Sequence, residues 1–210
     1  MTQDMVVIID YGMGNLGSIL NSLERIEVPA IISGKAKDIE RADKLILPGV
    51  GFFATGMDNL KKSGLLPVLE NKVCVNKAPI LGICLGMQLF TKQSTEGNAA
   101  GLGWIDAETT KFEFDSKETG LRLPHTGWNS IQVVKGSPIL AGLQSDAFFY
   151  FVHSYYVRCQ DVSNVVATTF YGIEFASVIQ KGNIFGTQFH PEKSHNHGVT
   201  VLKNFVENGC

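Results

Sequence analysis

The sequence predicts one α/β domain, a three-layer arrangement in which a mixed, mostly parallel sheet is flanked by helices. Three observations predict it. Short apolar runs alternate with stretches of helical periodicity through the first half of the chain, the signature of β-α-β units. The second half carries several closely spaced strand-like runs, so the sheet is mixed. The chain has 210 residues, 44% of them hydrophobic, which suits one domain over 1–210 with a substantial core.

Residues 5–10 read as a buried strand. Leu16, Ile19, Leu20, Leu23 and Ile26 then recur at helical spacing. Ala30–Ser33 is a second strand, and 44–47 a third that ends in Pro48-Gly49-Val50-Gly51. Residues 57–62 and 65–73 have a helical pattern. A fourth strand, 79–83, leads into Cys84 and a short helix. In the second half, 131–134, 148–152, 165–169, 176–180 and 184–189 are strand-like, and a helix over 199–206 closes the chain. The polar stretch 113–120 reads as an exposed loop. No repeat or low-complexity linker interrupts the sequence.

Eighteen basic against twenty acidic residues give a formal charge of −2. That balance offers no electrostatic footprint for nucleic acid or an anionic membrane. The four cysteines, Cys74, Cys84, Cys159 and Cys210, lack CxxC or zinc-finger spacing, which fits reduced thiols better than a disulfide framework. The N-terminus has no basic leader, and the first apolar run is too short for a signal or membrane segment, so a cytoplasmic location is expected.

The chemistry concentrates in Gly82-Ile83-Cys84-Leu85-Gly86. A cysteine between glycines, after a strand and before a helix, has the layout of a nucleophile elbow. The glycines permit the tight turn, and the helix N-terminus stabilises negative charge on the sulfur and on an oxyanion. The bland alternative is a small buried cysteine. Phe189-His190-Pro191-Glu192 ends another apolar run and supplies a base with a carboxylate to orient it, which raises the nucleophilic reading of Cys84, His190 and Glu192 above that alternative. Pro48-Gly49-Val50-Gly51, at a third strand end, is either an ordinary turn or, with the N–H of Leu85, half of an oxyanion hole. Gln88 lies one helical turn after Cys84, on the same side of its helix, and would either hold a polar substrate or solvate the surface.

Other readings compete. His190, Glu192, His195 and His197 are all metal-ligand types, but Pro191 makes a rigid turn and no helical His-x3-His pair exists. His195 and His197 read better as part of a solvated loop. Gly12-Met13-Gly14-Asn15-Leu16-Gly17 matches Gly-x-Gly-x-x-Gly between a strand and a helix. A dinucleotide site also wants an acid near the end of the second strand, where this chain has Ile32-Ser33-Gly34-Lys35. Trp128 fits a core aromatic, the commoner place for tryptophan. Residues 148–152 fit a strand with alternate side chains free to face a ligand.

The elbow together with His190-Pro191-Glu192 resembles the class I, triad-type glutamine amidotransferases. Further segments narrow the resemblance to the glutaminase subunits of imidazole glycerol phosphate synthases, which act in histidine biosynthesis. They are Asp10-Tyr11-Gly12-Met13-Gly14-Asn15, Leu47-Pro48-Gly49-Val50-Gly51, Gly127-Trp128-Asn129, Phe151-Val152-His153-Ser154-Tyr155 and His190-Pro191-Glu192-Lys193-Ser194. The resemblance runs from Met5 to the final helix, and it implies a flavodoxin-like core. It also implies that Cys84 attacks the side-chain amide of glutamine, that His190 shuttles the proton and that Glu192 orients His190. By the same resemblance Gly51, Gln88 and Glu96 hold glutamine with help from His153, Ser154 and Tyr155, and Val50 and Leu85 supply the oxyanion N–H groups. Neither cofactor nor metal is implied. The implied partner is a separate (β/α)8-barrel cyclase that receives the ammonia in a heterodimer. Asn15, Trp128, Tyr150 and Lys193 match positions near that interface. Thr126, in place of a more usual methionine, and the stretch from Ser194 to His197 depart from the pattern on the partner side. Two alternatives stay open here: a paralogue feeding ammonia to cell-surface sugar amidation, and a nucleotide-binding module built on Gly12–Gly17.

Overall fold

A parallel strand covered on both faces buries every side chain and sends successive ones into opposite layers. The first strand, β1 (Val6–Ile9), is apolar throughout and does this. Val7 and Ile9 enter one core, Val6 and Ile8 the other. The computed structural model describes residues 5–114, 119–144 and 146–209. Part of the expected loop 113–120 and the thiol of Cys210 lie outside the described residues.

The remaining strands of the parallel half are β2 (Ala30–Ser33), β3 (Lys44–Gly49) and β4 (Ile80–Cys84). Two short strands follow, β5 (Gln93–Ser94) and β6 (Ala99–Ala100), and then β7 (Ala107–Lys111). The second half adds β8 (His125–Ser130), β9 (Gln132–Val133), β10 (Phe148–His153), β11 (Tyr155–Cys159), β12 (Val165–Tyr171), β13 (Ile173–Lys181) and β14 (Ile184–Thr187). Among the described residues twelve strands form one sheet in the order β2-β1-β3-β4-β14-β13-β11-β7-β5-β6, with β12 on β13 and β9 on β12. The pairs from β2 to β14 are parallel, and β13 returns antiparallel to β14. β8 and β10 form a separate antiparallel ribbon.

Helices cover both faces. On one side lie α2 (Ala36–Arg41), α3 (Phe53–Lys62) and α4 (Leu66–Leu69), which bury Ile39, Met57, Leu60 and Leu69. On the other, α1 (Leu16–Glu24) and α6 (His195–Asn208) bury Ile19, Leu23, Val201, Leu202 and Phe205 together with Phe149 and Phe151 of the ribbon. The helix that follows Cys84, α5 (Leu85–Leu89), is buried throughout. No helix among the described residues is long and apolar enough to cross a membrane.

Several expectations need correction. The stretch with His195 and His197 is the first turn of α6, not a solvated loop, and the helix starts four residues before Val199. Its opening His-Asn-His-Gly has no apolar periodicity, and Gly198 is chosen by close approach to the Pro191 backbone, where a Cβ would collide. The helical pattern at 65–73 continues after Leu69 as a π-helix, Glu70–Val75. The strand expected at 131–134 shrinks to β9, and the main strand there is β8.

Register decides where chemistry can occur. Gly49 pairs with Cys84, and Thr187 pairs with Ile83. The carboxyl ends of β3, β4 and β14 therefore stand side by side, each running directly into a segment singled out by the sequence. Ligands gather at such strand ends in open α/β sheets.

Candidate active site

Cys84 is the residue between β4 and α5, with φ 53° and ψ −108°. A non-glycine residue at that φ is held against about 1–3 kcal/mol of strain by its surroundings. The surroundings here are tight. A Cβ on Gly86 would collide with the Leu47 carbonyl, so α5 can lie this close to β3 only with glycine at that position. The Tyr11 hydroxyl donates to the Pro48 carbonyl at 2.8 Å and pins the end of β3 beside the elbow. Burial, and secondarily the nearby Cys84 sulfur, push the Tyr11 phenol above its usual range, so it stays a neutral donor.

His190 Nδ1 lies 2.8 Å from Glu192 Oε1, with the two side chains 2% and 1% exposed. The other ring nitrogen, Nε2, is buried and makes no conventional hydrogen bond among the described residues. Burial by itself would lower the pKa of His190. That is the largest single influence, but the charges of Cys84 and Glu192 and their contacts with the ring together outweigh it, so the imidazole is pushed up to about 10. The imidazole thus lies between the sulfur's charge and a buried carboxylate on its Nδ1 side. His190 is also fixed by its backbone. His190 N–H donates to the Tyr150 carbonyl at 2.9 Å, and the Ser194 hydroxyl donates to the His190 carbonyl at 2.6 Å.

Cys84 and His190 open into a cavity of about 310 Å³. Val50, Gly51, Leu85, Gln88, Glu96, His153, Ser154 and Tyr155 all line it, so every residue expected to bind substrate or oxyanion reaches one space. Gly51 has φ 99°, a conformation that favours glycine, at the turn that brings this segment over the sulfur. Gln88 is 4% exposed; it does not solvate the surface, and its amide N–H groups donate to the Tyr155 carbonyl and to Gln188 Oε1, each at 3.0 Å. Glu96 Oε2 accepts the Phe53 N–H at 2.7 Å. It thereby caps α3, whose own N-cap residue, Phe52, offers no side-chain bond.

Sequence reasoning missed four members. Phe52 and Pro124 line the cavity. Gln188 is fully buried and donates to Cys84 Sγ at 3.6 Å. It sits two residues before His190, on the same side of extended chain by its period-two alternation. His125 forms a buried pair with the His153 ring, Nδ1 to Nε2 at 3.1 Å, and His153 Nδ1 donates to the Tyr155 carbonyl at 2.8 Å. Burial holds His125 down to about 4 and His153 down to about 3, so both are neutral near pH 7.

The residues expected at a partner surface lie on the ribbon, the turn after His190 and the start of α1. Trp128 is 46% exposed, not a core aromatic. It lies opposite Tyr150 across the β8–β10 ribbon and stacks on the His195 ring at 4.9 Å. Lys193 Nζ sits 5.7 Å from the Tyr150 ring centre. Asn15 is exposed and caps α1 by accepting from the Ser18 N–H. The Gly12–Gly17 loop that contains Asn15 serves turn and packing: Gly12 N–H bonds Asp10, and Gly14 lies against Pro48 where a Cβ would stand at 3.0 Å. At the end of β2, the place of a ribose-binding acid is held by Ser33, which donates to Asp38. His197, another of the candidate metal ligands, accepts from the Phe148 N–H at 3.1 Å.

Comparison with known proteins gives a consistent result. The family described as class I glutamine amidotransferase matches residues 7–208. A Methanococcus maripaludis protein named imidazole glycerol phosphate synthase subunit HisH 2 is 49% identical over 97% of this chain and 99% of its own length. A protein of the same name from Pseudomonas aeruginosa is 46% identical over the same shares. The HisH subunit of Bdellovibrio bacteriovorus is 42% identical, covering 97% of this chain and all of its own, at 100%. Among solved structures, one titled glutamine amidotransferase superposes with a TM-score of 0.74 at 19% identity, covering 95% of this chain and 97% of that one. Thermotoga maritima PurLQS superposes with a TM-score of 0.70 at 16% identity, covering 97% of each chain. These two superpositions speak to fold alone.

Proposed function

The chain belongs to the class I glutamine amidotransferases, and from that premise we propose that it is the glutaminase subunit of an imidazole glycerol phosphate synthase, acting in histidine biosynthesis. What supports this chemistry is that Cys84 and His190 line one cavity of about 310 Å³ while Glu192 stands 2.8 Å behind the imidazole. Cys84 Sγ attacks the side-chain amide carbon of glutamine. The carbonyl oxygen becomes an oxyanion between the backbone N–H groups of Val50 and Leu85. His190 passes a proton to the departing nitrogen, ammonia leaves, and a glutamyl thioester remains. Water, deprotonated by His190, cleaves the thioester and releases glutamate. Glu192 holds the imidazole tautomer and stabilises its charge.

Substrate selection falls to the cavity wall. Gly51, Gln88 and Glu96, with the backbone of His153, Ser154 and Tyr155, hold the amino-acid end of glutamine. Glu96 is suited to the α-ammonium group because its second oxygen remains available beside the one that caps α3. Released ammonia would protonate in water and lose its nucleophilicity, so it passes to a cyclase. That partner is a separate (β/α)8 barrel forming a heterodimer with this chain. It docks over Trp128, Tyr150, Lys193 and Asn15. The names of the relatives reported above lend no support to surface-sugar amidation or to nucleotide binding.

The test is a pair of assays on Cys84→Ala reconstituted with the cyclase. Glutamine hydrolysis and capture of a glutamine-like electrophile should be abolished, while cyclisation driven by added ammonium salt at raised pH should continue. Normal glutamine turnover in that variant would remove the triad reading.

A further inference from the structure

The orientation of the amides beside Cys84 is fixed by a chain of bonds that begins on backbone carbonyls. Tyr155 O can only accept, so the Gln88 atom 3.0 Å away is its NH₂. That same NH₂ contacts Gln188, so the Gln188 atom it meets is the oxygen. The other end of the Gln188 carboxamide, its NH₂, must then face Cys84 Sγ at 3.6 Å. The opposite flip would set two NH₂ groups against each other in a fully buried place, which is costly. A neutral thiol is a poor acceptor, and its own hydrogen points toward the Val152 carbonyl, 4.0 Å away. A sulfur carrying negative charge accepts strongly.

We propose that Gln188 is a positioning residue for the amide hydrolysis: its N–H holds the Cys84 sulfur in charged form facing His190, and Gln88 fixes its orientation from the substrate cavity. The proposal deepens the glutaminase reading and rests on Cys84 as nucleophile. Gln88 is the hinge of the arrangement, because its single NH₂ group serves both the cavity wall and Gln188. Gln188→Met keeps the volume and removes the N–H. Gln188→Glu keeps the shape and sets an anionic oxygen against the sulfur.

The experiment measures the rate at which iodoacetamide alkylates Cys84 in the full chain as a function of pH, with Cys74, Cys159 and Cys210 distinguished by peptide mass. Gln188→Met should slow alkylation by about tenfold at pH values below the wild-type midpoint, the usual scale for a lost bond to a charged group. Its pH profile should move up by about one unit, and Gln188→Glu should move it further. Hydrolysis should lose kcat with little change in KM. Wild-type alkylation profiles in both variants, with unchanged thermal midpoints, would overturn the proposal. If neither variant folds, Gln88→Met decides. It leaves Gln188 free to flip and should shift the profile in the same direction, and an unmoved profile overturns the proposal. Alkylation does not require glutamine hydrolysis. Failure of the glutaminase reading would appear separately, as glutamine turnover surviving in Cys84→Ala.

Discussion

Cys84 occupies a backbone region that suits glycine better than cysteine, so its chemistry and its stability pull in opposite directions. Cys84→Gly should release that strain. We expect its thermal midpoint to exceed that of Cys84→Ala by about 2–4 °C, the scale of 1 kcal/mol in a chain of this size, while neither variant hydrolyses glutamine. Equal midpoints, read by calorimetry, would show that the elbow is unstrained. Gly86→Ala should act oppositely and cost several degrees, because the added methyl meets the Leu47 carbonyl rather than a movable side chain. At Glu192, replacement by Gln should keep the fold and cut kcat by about 10²–10⁴, since the imidazole loses both its charge partner and its fixed tautomer. A steady-state assay at saturating glutamine reads this directly. The triad was legible in the sequence because cysteine between glycines and His-Pro-Glu each have few structural uses. Gln188 was not, because a lone glutamine at a strand end has many.

At the scale of elements, Glu96 links a loop to α3, which lacks a side-chain cap of its own. Glu96→Ala should therefore lower stability by about 1 kcal/mol in urea unfolding, in addition to raising KM for glutamine. A residue that only bound substrate would leave the unfolding curve unchanged. The β8–β10 ribbon carries a pH dependence. His125 and His153 are neutral when folded, with pKa values near 4 and 3, and return toward 6.5 on unfolding. Their contribution is fully present above pH 6.5 and is lost as pH falls toward 4 and 3. His125→Phe should reduce the slope of stability against pH in that window by about one proton, or 1.4 kcal/mol per pH unit. Sequence reading found β1, β3, β4 and β14 because strands buried on both faces are unbroken apolar runs. It missed β7, Ala-Glu-Thr-Thr-Lys, and β8, His-Thr-Gly-Trp-Asn-Ser, whose partners are set by distant chain and whose own residues have no strong alternation of apolar side chains.

At the scale of the whole molecule, the sheet collects three strand ends from residues 49, 84 and 187 into one place, and the proposed partner surface lies on the ribbon beside them. The α/β class followed from local periodicity. The closeness of the ribbon to His190 did not, since it depends on pairing across long stretches of chain. The isolated chain should hydrolyse glutamine slowly, and cyclase carrying a substrate analogue should raise kcat by about 10²–10³, the usual value of one oxyanion donor supplied by Val50. Equal turnover with and without the cyclase would leave the Cys84 chemistry in place and show that the Val50 N–H already serves the oxyanion in the isolated chain. The bond from the His190 amide to the Tyr150 carbonyl makes that amide a natural gauge of docking. Tyr150 lies across the ribbon from the exposed Trp128, so a clamp on one strand bears on a single exchangeable proton of the base. Deuterium uptake at the His190 amide should fall when the cyclase binds, and should do so equally in Cys84→Ala, where no chemistry occurs.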